Sequence, residues 1–285
     1  MTQTWTVLKV LRWTADYFAE RGIDRGRLDA ELLLGEALGI DRVGLYLNHD
    51  RPLTADELAA FRAKVGRRAR REPLQYILEK AEFWSLPFKV GPGVLVPRPD
   101  TETLVEEALR RAGPLCSVLD VGTGSGAIAV ALASELPEAR VTGLDSSPQA
   151  LALAAENVRL NGVEDRVTLR EQDLLRQGLP GGPFDIILSN PPYVPEGDMV
   201  GLMPEVRDFE PRQALCGGAD GLDFYRLLIP GAVGHLNAGG WLLFEVGIHQ
   251  AGEVLTLFEE SGGYVDLFSA RDTAGIERVV GGRRM

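Results

Sequence analysis

The chain is poor in the residues that build metal centres and covalent cross-links. Two cysteines, Cys116 and Cys216, occur in 285 residues, far apart and outside any Cys-x-x-Cys pair. Neither a disulfide framework nor a zinc site is indicated, no metal is expected, and both thiols are read as ordinary and half-buried. The three histidines, His49, His235 and His249, are scattered and support no Ser/His/Asp arrangement, and His235 and His249 are read as structural. Long hydrophobic runs are missing as well. No window approaches about eighteen uninterrupted apolar residues, and residues 1–30 hold no apolar segment followed by a cleavage site, so no membrane partner is expected and a cytoplasmic location is. Internal repeats and low-complexity tracts are also absent. Basic charge is in deficit, with 30 Lys and Arg against 41 Asp and Glu, a net −11. The deficit is local: residues 1–80 carry 14 basic against 12 acidic side chains, and the remainder carries 16 against 29. An acidic second part disfavours a track for a phosphate backbone, so no direct nucleic-acid substrate is expected.

The length and the 45% hydrophobic content suit two domains with a sizeable core. Residues 1–80 read as helices: Val7, Leu8, Leu11, Tyr17 and Phe18, then Leu28, Leu32, Leu33, Leu34, Ala37 and Leu38, recur at helical spacing. Asp24 and Thr54 are expected as N-caps, and Gly22, Gly39 and Pro73 as stops. The run Arg67, Arg68, Arg70, Arg71 reads as a solvated, dipole-matched helix terminus rather than an interaction patch. Residues 81–99 read as a β-hairpin linker turning about Gly91-Pro92-Gly93. From Asp100 to residue 285, strands alternate with helices, which implies an α/β domain with a mostly parallel sheet covered on both faces.

Four motifs fall at strand ends in this second part. Ser117 to Val121 reads as a buried strand running into Gly122-Thr123-Gly124-Ser125-Gly126 and a helix from Ala127. Glycines let a ligand approach the backbone, and the helix start favours an anionic group. The same turn can carry a dinucleotide's pyrophosphate or serve as a tight connection. Asp145 ends the next strand, placed to accept from two ribose hydroxyls or to cap the following helix. Asp173 and Leu174 sit at the third strand tip, where a side chain can border an adenine. After Phe184 to Ser189 comes Asn190-Pro191-Pro192-Tyr193. Two prolines hold Asn190 and Pro191 extended, presenting the Asn190 side-chain oxygen and the Pro191 carbonyl as acceptors, with Tyr193 offering a flat face. A planar nitrogen is a poor nucleophile, and acceptors on its N–H bonds are what methylating it requires. A bare strand-ending turn is the alternative.

The ordered set resembles the class I S-adenosylmethionine-dependent methyltransferases, which implies a Rossmann-like, seven-stranded sheet. Along nearly its full length the chain resembles one family, the peptide chain release factor glutamine methyltransferases (the HemK or PrmC family). The residues that carry this are Arg71 to Ile77, Phe83-Trp84, Pro87-Phe88, Val96 to Glu102, the glycine loop, Asn190 to Tyr193, Glu210-Pro211, Ala214-Leu215, Gly217-Gly218, Asp220 to Arg226, Leu243 to Gly247, Gln250, Asp272, Gly275 and Arg278. The resemblance implies S-adenosyl-L-methionine as cofactor, S-adenosyl-L-homocysteine as product, and the Gly-Gly-Gln glutamine of release factors 1 and 2 as the site methylated. It implies that Asn190 and the Pro191 carbonyl bind the glutamine amide, that Pro192 and Tyr193 complete that site, and that Gly122 to Gly126 cradle the donor. Asp145 would take the ribose, Asp173 and Leu174 would border the adenine, and residues 1–80 would help bind the release factor. Exocyclic amines of nucleic-acid bases and glutamine in a ribosomal protein are the alternative targets. One departure is visible: the family usually has glycine soon after the Leu-Gln-Tyr-Ile segment, and this chain reads Leu78-Glu79-Lys80.

Overall fold

Short, mostly apolar runs bounded by turn residues, such as Ser117 to Val121, suit central strands of a parallel sheet buried on both faces. In the computed structural model, which describes residues 4–285, the chain separates into two compact units. One comprises residues up to Glu79 together with Pro204–Phe209, and the other Lys80–Met203 and Glu210–Met285. The first three residues of the expected helical segment lie outside the described residues. Among those described, no helix is long and apolar enough to cross a membrane.

The first unit is helical: Val7–Ala19, Gly26–Leu38, Arg42–Leu47, Ala55–Ala69 and Leu74–Leu78, with Pro204–Phe209 alongside. Phe18, Leu33, Leu34, Leu45, Phe61 and Ile77 form its core. Thr54 caps as expected, in a reciprocal box with Glu57. Asp24 does not cap; Gly26–Leu38 starts after Arg25, with no side-chain cap. The arginine run is likewise corrected. Arg68 is 7% exposed, its Nε donates to Asp29 Oδ2 at 2.7 Å and its Nη1 to Glu205 Oε1 at 3.0 Å, while Arg71 Nη2 donates to Glu205 Oε2 at 2.7 Å. Carboxylates brought in from distant segments turned an expected solvated terminus into a buried ion cluster.

Glu79 follows the helix Leu74–Leu78 as its C-cap with φ 57°, in the left-handed region. A Cβ is strained there, and glycine is the residue that avoids the strain. Glu79→Gly is therefore expected to stabilise the protein by about 0.5–1 kcal/mol, the strain relieved outweighing the entropy that glycine adds to the unfolded chain. Thermal unfolding checks this, and an unchanged or lower melting temperature contradicts it.

The second unit opens with a hairpin of β1 (Lys80–Phe83) and β2 (Leu86–Lys89). Its turn is not at Gly91-Pro92-Gly93 but at Trp84 and Ser85, with φ 54° and 55°. Both positive φ values suit a two-residue turn that follows the strand twist. This turn brings Phe83 and Phe88 into edge contact at 6.2 Å, both buried, and Val94 to Arg98 lie outside any strand.

Seven strands form the main sheet: β3 (Ser117–Val121), β4 (Arg140–Asp145), β5 (Val167–Glu171), β6 (Phe184–Ser189), β7 (Leu236–Glu245), β8 (Tyr264–Arg271) and β9 (Glu277–Arg284). Their order is β5-β4-β3-β6-β7-β9-β8, parallel from β5 to β7 and antiparallel at β9 and β8. Separate apolar clusters cover the sheet, one around the wholly buried segment Ala127 to Ala133 and one around Tyr225, Phe244 and Phe258. The expected Rossmann-like α/β class is borne out. Successive strands β3, β4 and β5 step one way and β6 lies on the other side of β3, so the strand order reverses between β3 and β6. That reversal opens a crevice at the strands' carboxyl ends.

Candidate active site

At the reversal point the ends of β3, β4, β5 and β6 border one cleft of about 350 Å³, inside the range of roughly 300–1,000 Å³ typical of small-molecule sites. Gly122, Gly124, Asp145, Asp173, Leu174, Asn190, Pro191 and Pro192 all line it. Thr123, Ser125, Gly126 and Tyr193 do not.

The glycine loop is held from below. The backbone N–H groups of Gly122 and Thr123 both donate to the Leu144 carbonyl at 2.9 and 2.8 Å, tying the end of β3 to β4. Thr123 points inward, its hydroxyl donating to Asp120 Oδ2 at 2.6 Å. The Ser125 carbonyl accepts from Asn157 at 2.8 Å, and Gly126 precedes the helix Ala127–Glu135 with φ 80°. Asp145 has one carboxylate oxygen on the Gly124 N–H and the other on the Ser147 N–H, each at 2.9 Å, so it is oriented before any ligand arrives. Asp173 caps the turn that follows it, accepting from the Leu175 N–H at 3.0 Å. The helix Leu174–Gln177 then starts where the sequence suggested only a strand tip.

Asn190 is half-buried at the tip of β6, and its Nδ2 donates to the Thr101 hydroxyl at 3.2 Å. Its side-chain oxygen is left as the free acceptor. Below it, Ser189 donates to the Val121 carbonyl at 2.6 Å, fastening β6 to β3. Thr101 belongs to the segment Val96 to Glu102, which is pinned by Arg98 on both oxygens of buried Glu210 (2.6 and 2.8 Å) and by Arg278 on Asp100 (2.9 Å).

Tyr193 is clamped behind the cleft. Its hydroxyl donates to Glu245 Oε1 at 3.4 Å, and its carbonyl accepts from Gln250 Nε2 at 3.0 Å, while Gln250 Oε1 accepts from the Gly247 N–H at 2.9 Å. A Cβ on Gly217 would fall 2.5 Å from the Pro192 carbonyl oxygen, and one on Gly221 would fall 2.3 Å from that of Tyr193. These two glycines allow the returning loop to lie directly against the Asn-Pro-Pro-Tyr backbone.

Burial governs the site's titrating groups. Asp120, fully buried, is pushed up to about 7 against the Thr123 hydrogen bond that favours its ionised form. Glu245, also fully buried, is pushed up to about 7, with Thr101, Arg278 and Tyr193 opposing. Burial and the neighbouring Glu245 charge both raise the Tyr193 phenol, so it stays protonated. Sequence reasoning assigned no role to Thr101 or Glu245. The available signal was an ionisable residue inside the apolar run Leu242 to Val246 at a parallel strand's carboxyl end. Chemically, the cleft offers a glycine cradle, an oriented carboxylate and, at its far end, a fixed side-chain acceptor.

A family model described as the PrmC N-terminal domain matches residues 9–78, and one described as the methyltransferase small domain matches residues 99–203. The release factor glutamine methyltransferase of Geobacter sulfurreducens is 57% identical over 281 residues, covering 99% of this chain and 98% of that one. The enzyme of the same name from Rhodopirellula baltica is 43% identical over 282 residues, covering 97% and 95%. Among solved structures, a methyltransferase from Pyrococcus furiosus shares the fold, with a TM-score of 0.52 at 23% identity over 76% of this chain and 98% of that one. With such identity sustained through both the helical and the sheet-containing unit, this chain belongs to the release factor glutamine methyltransferase family.

Proposed function

We propose that this protein methylates the side-chain amide nitrogen of the Gly-Gly-Gln glutamine in peptide chain release factors 1 and 2, with S-adenosyl-L-methionine as donor. The observation that carries the reading is the orientation of Asn190: its Nδ2 is turned to Thr101, so the oxygen at the other end of the amide remains to accept from a substrate amide in the cleft. The cleft suits the donor. A Cβ built on Gly122 meets nothing within 4 Å, so the backbone there is open to a ligand, and Asp145 stands at the next strand end with its carboxylate held in place. When bound, the donor supplies a methyl group on an electrophilic sulfonium.

Within the loop Gly122 to Gly126, Gly122 and Gly124 face the donor's methionine portion while Thr123, Ser125 and Gly126 hold the loop's shape from behind. Asp145 takes the ribose hydroxyls, and Asp173 with Leu174 borders the adenine. Asn190 and the Pro191 carbonyl hold the glutamine amide by its N–H bonds. As the nitrogen lone pair forms the N–CH3 bond and the S–CH3 bond breaks to leave a neutral thioether, positive charge grows on those N–H groups. The two acceptors stabilise it until one of the protons is lost to water; no strong base is needed beforehand. Pro192 keeps the loop extended, and Tyr193, clamped from behind, supports the wall on which the amide packs. Residues up to about Glu79 contribute to holding the release factor.

Asp145→Ala is expected to weaken donor binding roughly ten- to a hundredfold, the worth of charge-assisted hydrogen bonds, with a smaller effect on turnover at saturating donor. Calorimetric titration with the donor checks this, and an unchanged Kd removes Asp145 from the donor site. The activity itself is tested with methyl-labelled S-adenosylmethionine, intact release factor, a copy with the Gly-Gly-Gln glutamine changed to alanine, and unmethylated DNA. Label on the intact factor alone supports the proposal, and label on DNA or on the alanine copy overturns it.

A further inference from the structure

Asparagine can present either end of its amide to a substrate with almost no change in shape, yet only one end accepts a hydrogen bond. We infer that Thr101, backed by Glu245, is the positioning device that keeps the Asn190 oxygen directed at the substrate. This rests on the reading that Asn190 accepts from the glutamine amide. The hydroxyl alone cannot choose, since it can either accept from Nδ2 or donate to Oδ1. Behind it stands Glu245, fully buried and acceptor-only when ionised. Glu245 Oε1 takes the Tyr193 hydroxyl, while its buried Oε2 has no hydrogen-bond partner among the described residues and is an acceptor toward which the Thr101 proton is drawn. Thr101 then shows Asn190 a lone pair, and the amide settles with Nδ2 on Thr101 at 3.2 Å.

The groups around Glu245 favour this state. Tyr193 donates to its Oε1 at 3.4 Å, Tyr225 donates to its backbone carbonyl at 2.8 Å, and Arg278 supplies a nearby positive charge. Asp100 opposes, and Asp100 and Asp272 share Arg278 at 2.9 and 3.0 Å. Burial, outweighing the Thr101, Arg278 and Tyr193 contributions, raises the carboxyl to about 7, so it takes up a proton near neutrality. Neutral Glu245 can donate to Thr101, whose proton then turns toward Asn190 and favours the flipped amide. Glu245 thus links both halves of the substrate-binding motif, Asn190 through Thr101 and Tyr193 directly.

The test uses the full chain with native, Thr101→Val, Thr101→Ser and Glu245→Gln proteins, methylating intact release factor at saturating donor across neutral pH. Donor-induced melting shifts are measured alongside. Thr101→Val is expected to lower kcat about tenfold or more with a native donor-induced shift, and Thr101→Ser to recover most of the loss. Native turnover is expected to fall on the acid side of pH about 7, a limb that Glu245→Gln lacks. A Thr101→Val enzyme within about twofold of native kcat overturns the inference. Should that variant show no donor-induced shift, Glu245→Gln decides, and an acid limb like the native one overturns it. If the native protein itself leaves the release factor unlabelled, the proposed function fails instead.

Discussion

Replacing Asn190 by alanine is expected to lower turnover on release factor by on the order of a hundredfold, while donor affinity stays near native. The loss follows from where the acceptor acts. In the ground state the amide N–H groups are weak donors, and water or a neighbouring carbonyl can serve them. At the transition state the nitrogen carries developing positive charge, and a fixed acceptor in a partly buried site is worth far more. Asn190 makes its structural hydrogen bond to Thr101 rather than to the glycine loop or Asp145, so removing it leaves the donor end of the cleft intact. The signature is a fall in kcat with little change in donor Kd. Near-native kcat on release factor would remove Asn190 from the acceptor role.

The largest expected loss of stability lies in the helical unit. Arg68→Ala withdraws the guanidinium that Asp29 and Glu205 share, and both residues are buried, with side chains only 8% and 11% exposed. Removing one partner from a buried ion cluster leaves charge without compensation, so a loss of about 3–5 kcal/mol is expected, far more than an exposed pair returns. Arg71 still reaches Glu205 at 2.7 Å, which places most of the damage at Asp29. Urea denaturation reads the change, and a loss below about 1 kcal/mol would mean that the cluster behaves as a surface pair. The same cluster sets an acid dependence. Burial raises Glu205, but hydrogen bonds from Arg71 and Arg68 outweigh it and hold the carboxyl below its ordinary 4.5. Its contribution is therefore complete above about pH 4.5 and is lost as pH falls through the lowered value.

Both cases separate local from non-local information. The strands were legible because β3 and β6 are short, mostly apolar runs, each interrupted by one aspartate, that end at a glycine loop or at Asn190-Pro191-Pro192, the pattern of a parallel strand buried on both faces. Thr54 was legible as a cap because its partner Glu57 lies three residues away. The arginine run was misread because what neutralises Arg68 comes from Asp29 and Glu205, distant along the chain. The hairpin turn was misplaced because Gly-Pro-Gly is a strong turn signal, whereas Trp84-Ser85, at φ 54° and 55°, carries neither glycine nor proline and turns the chain between Phe83 and Phe88, which meet in the core.

What the sequence determined by itself is the chemistry offered at each strand end: a glycine loop, an acid and an amide between strand and prolines, each set within a few residues. Tertiary structure alone decided how these groups face. Asp145 is oriented by the N–H groups of Gly124 and Ser147, and Asn190 by the hydroxyl of Thr101 in front of Glu245. A side chain's direction depends on its hydrogen-bond partner. Where that partner comes from another strand or loop, it is present only once the sheet has closed.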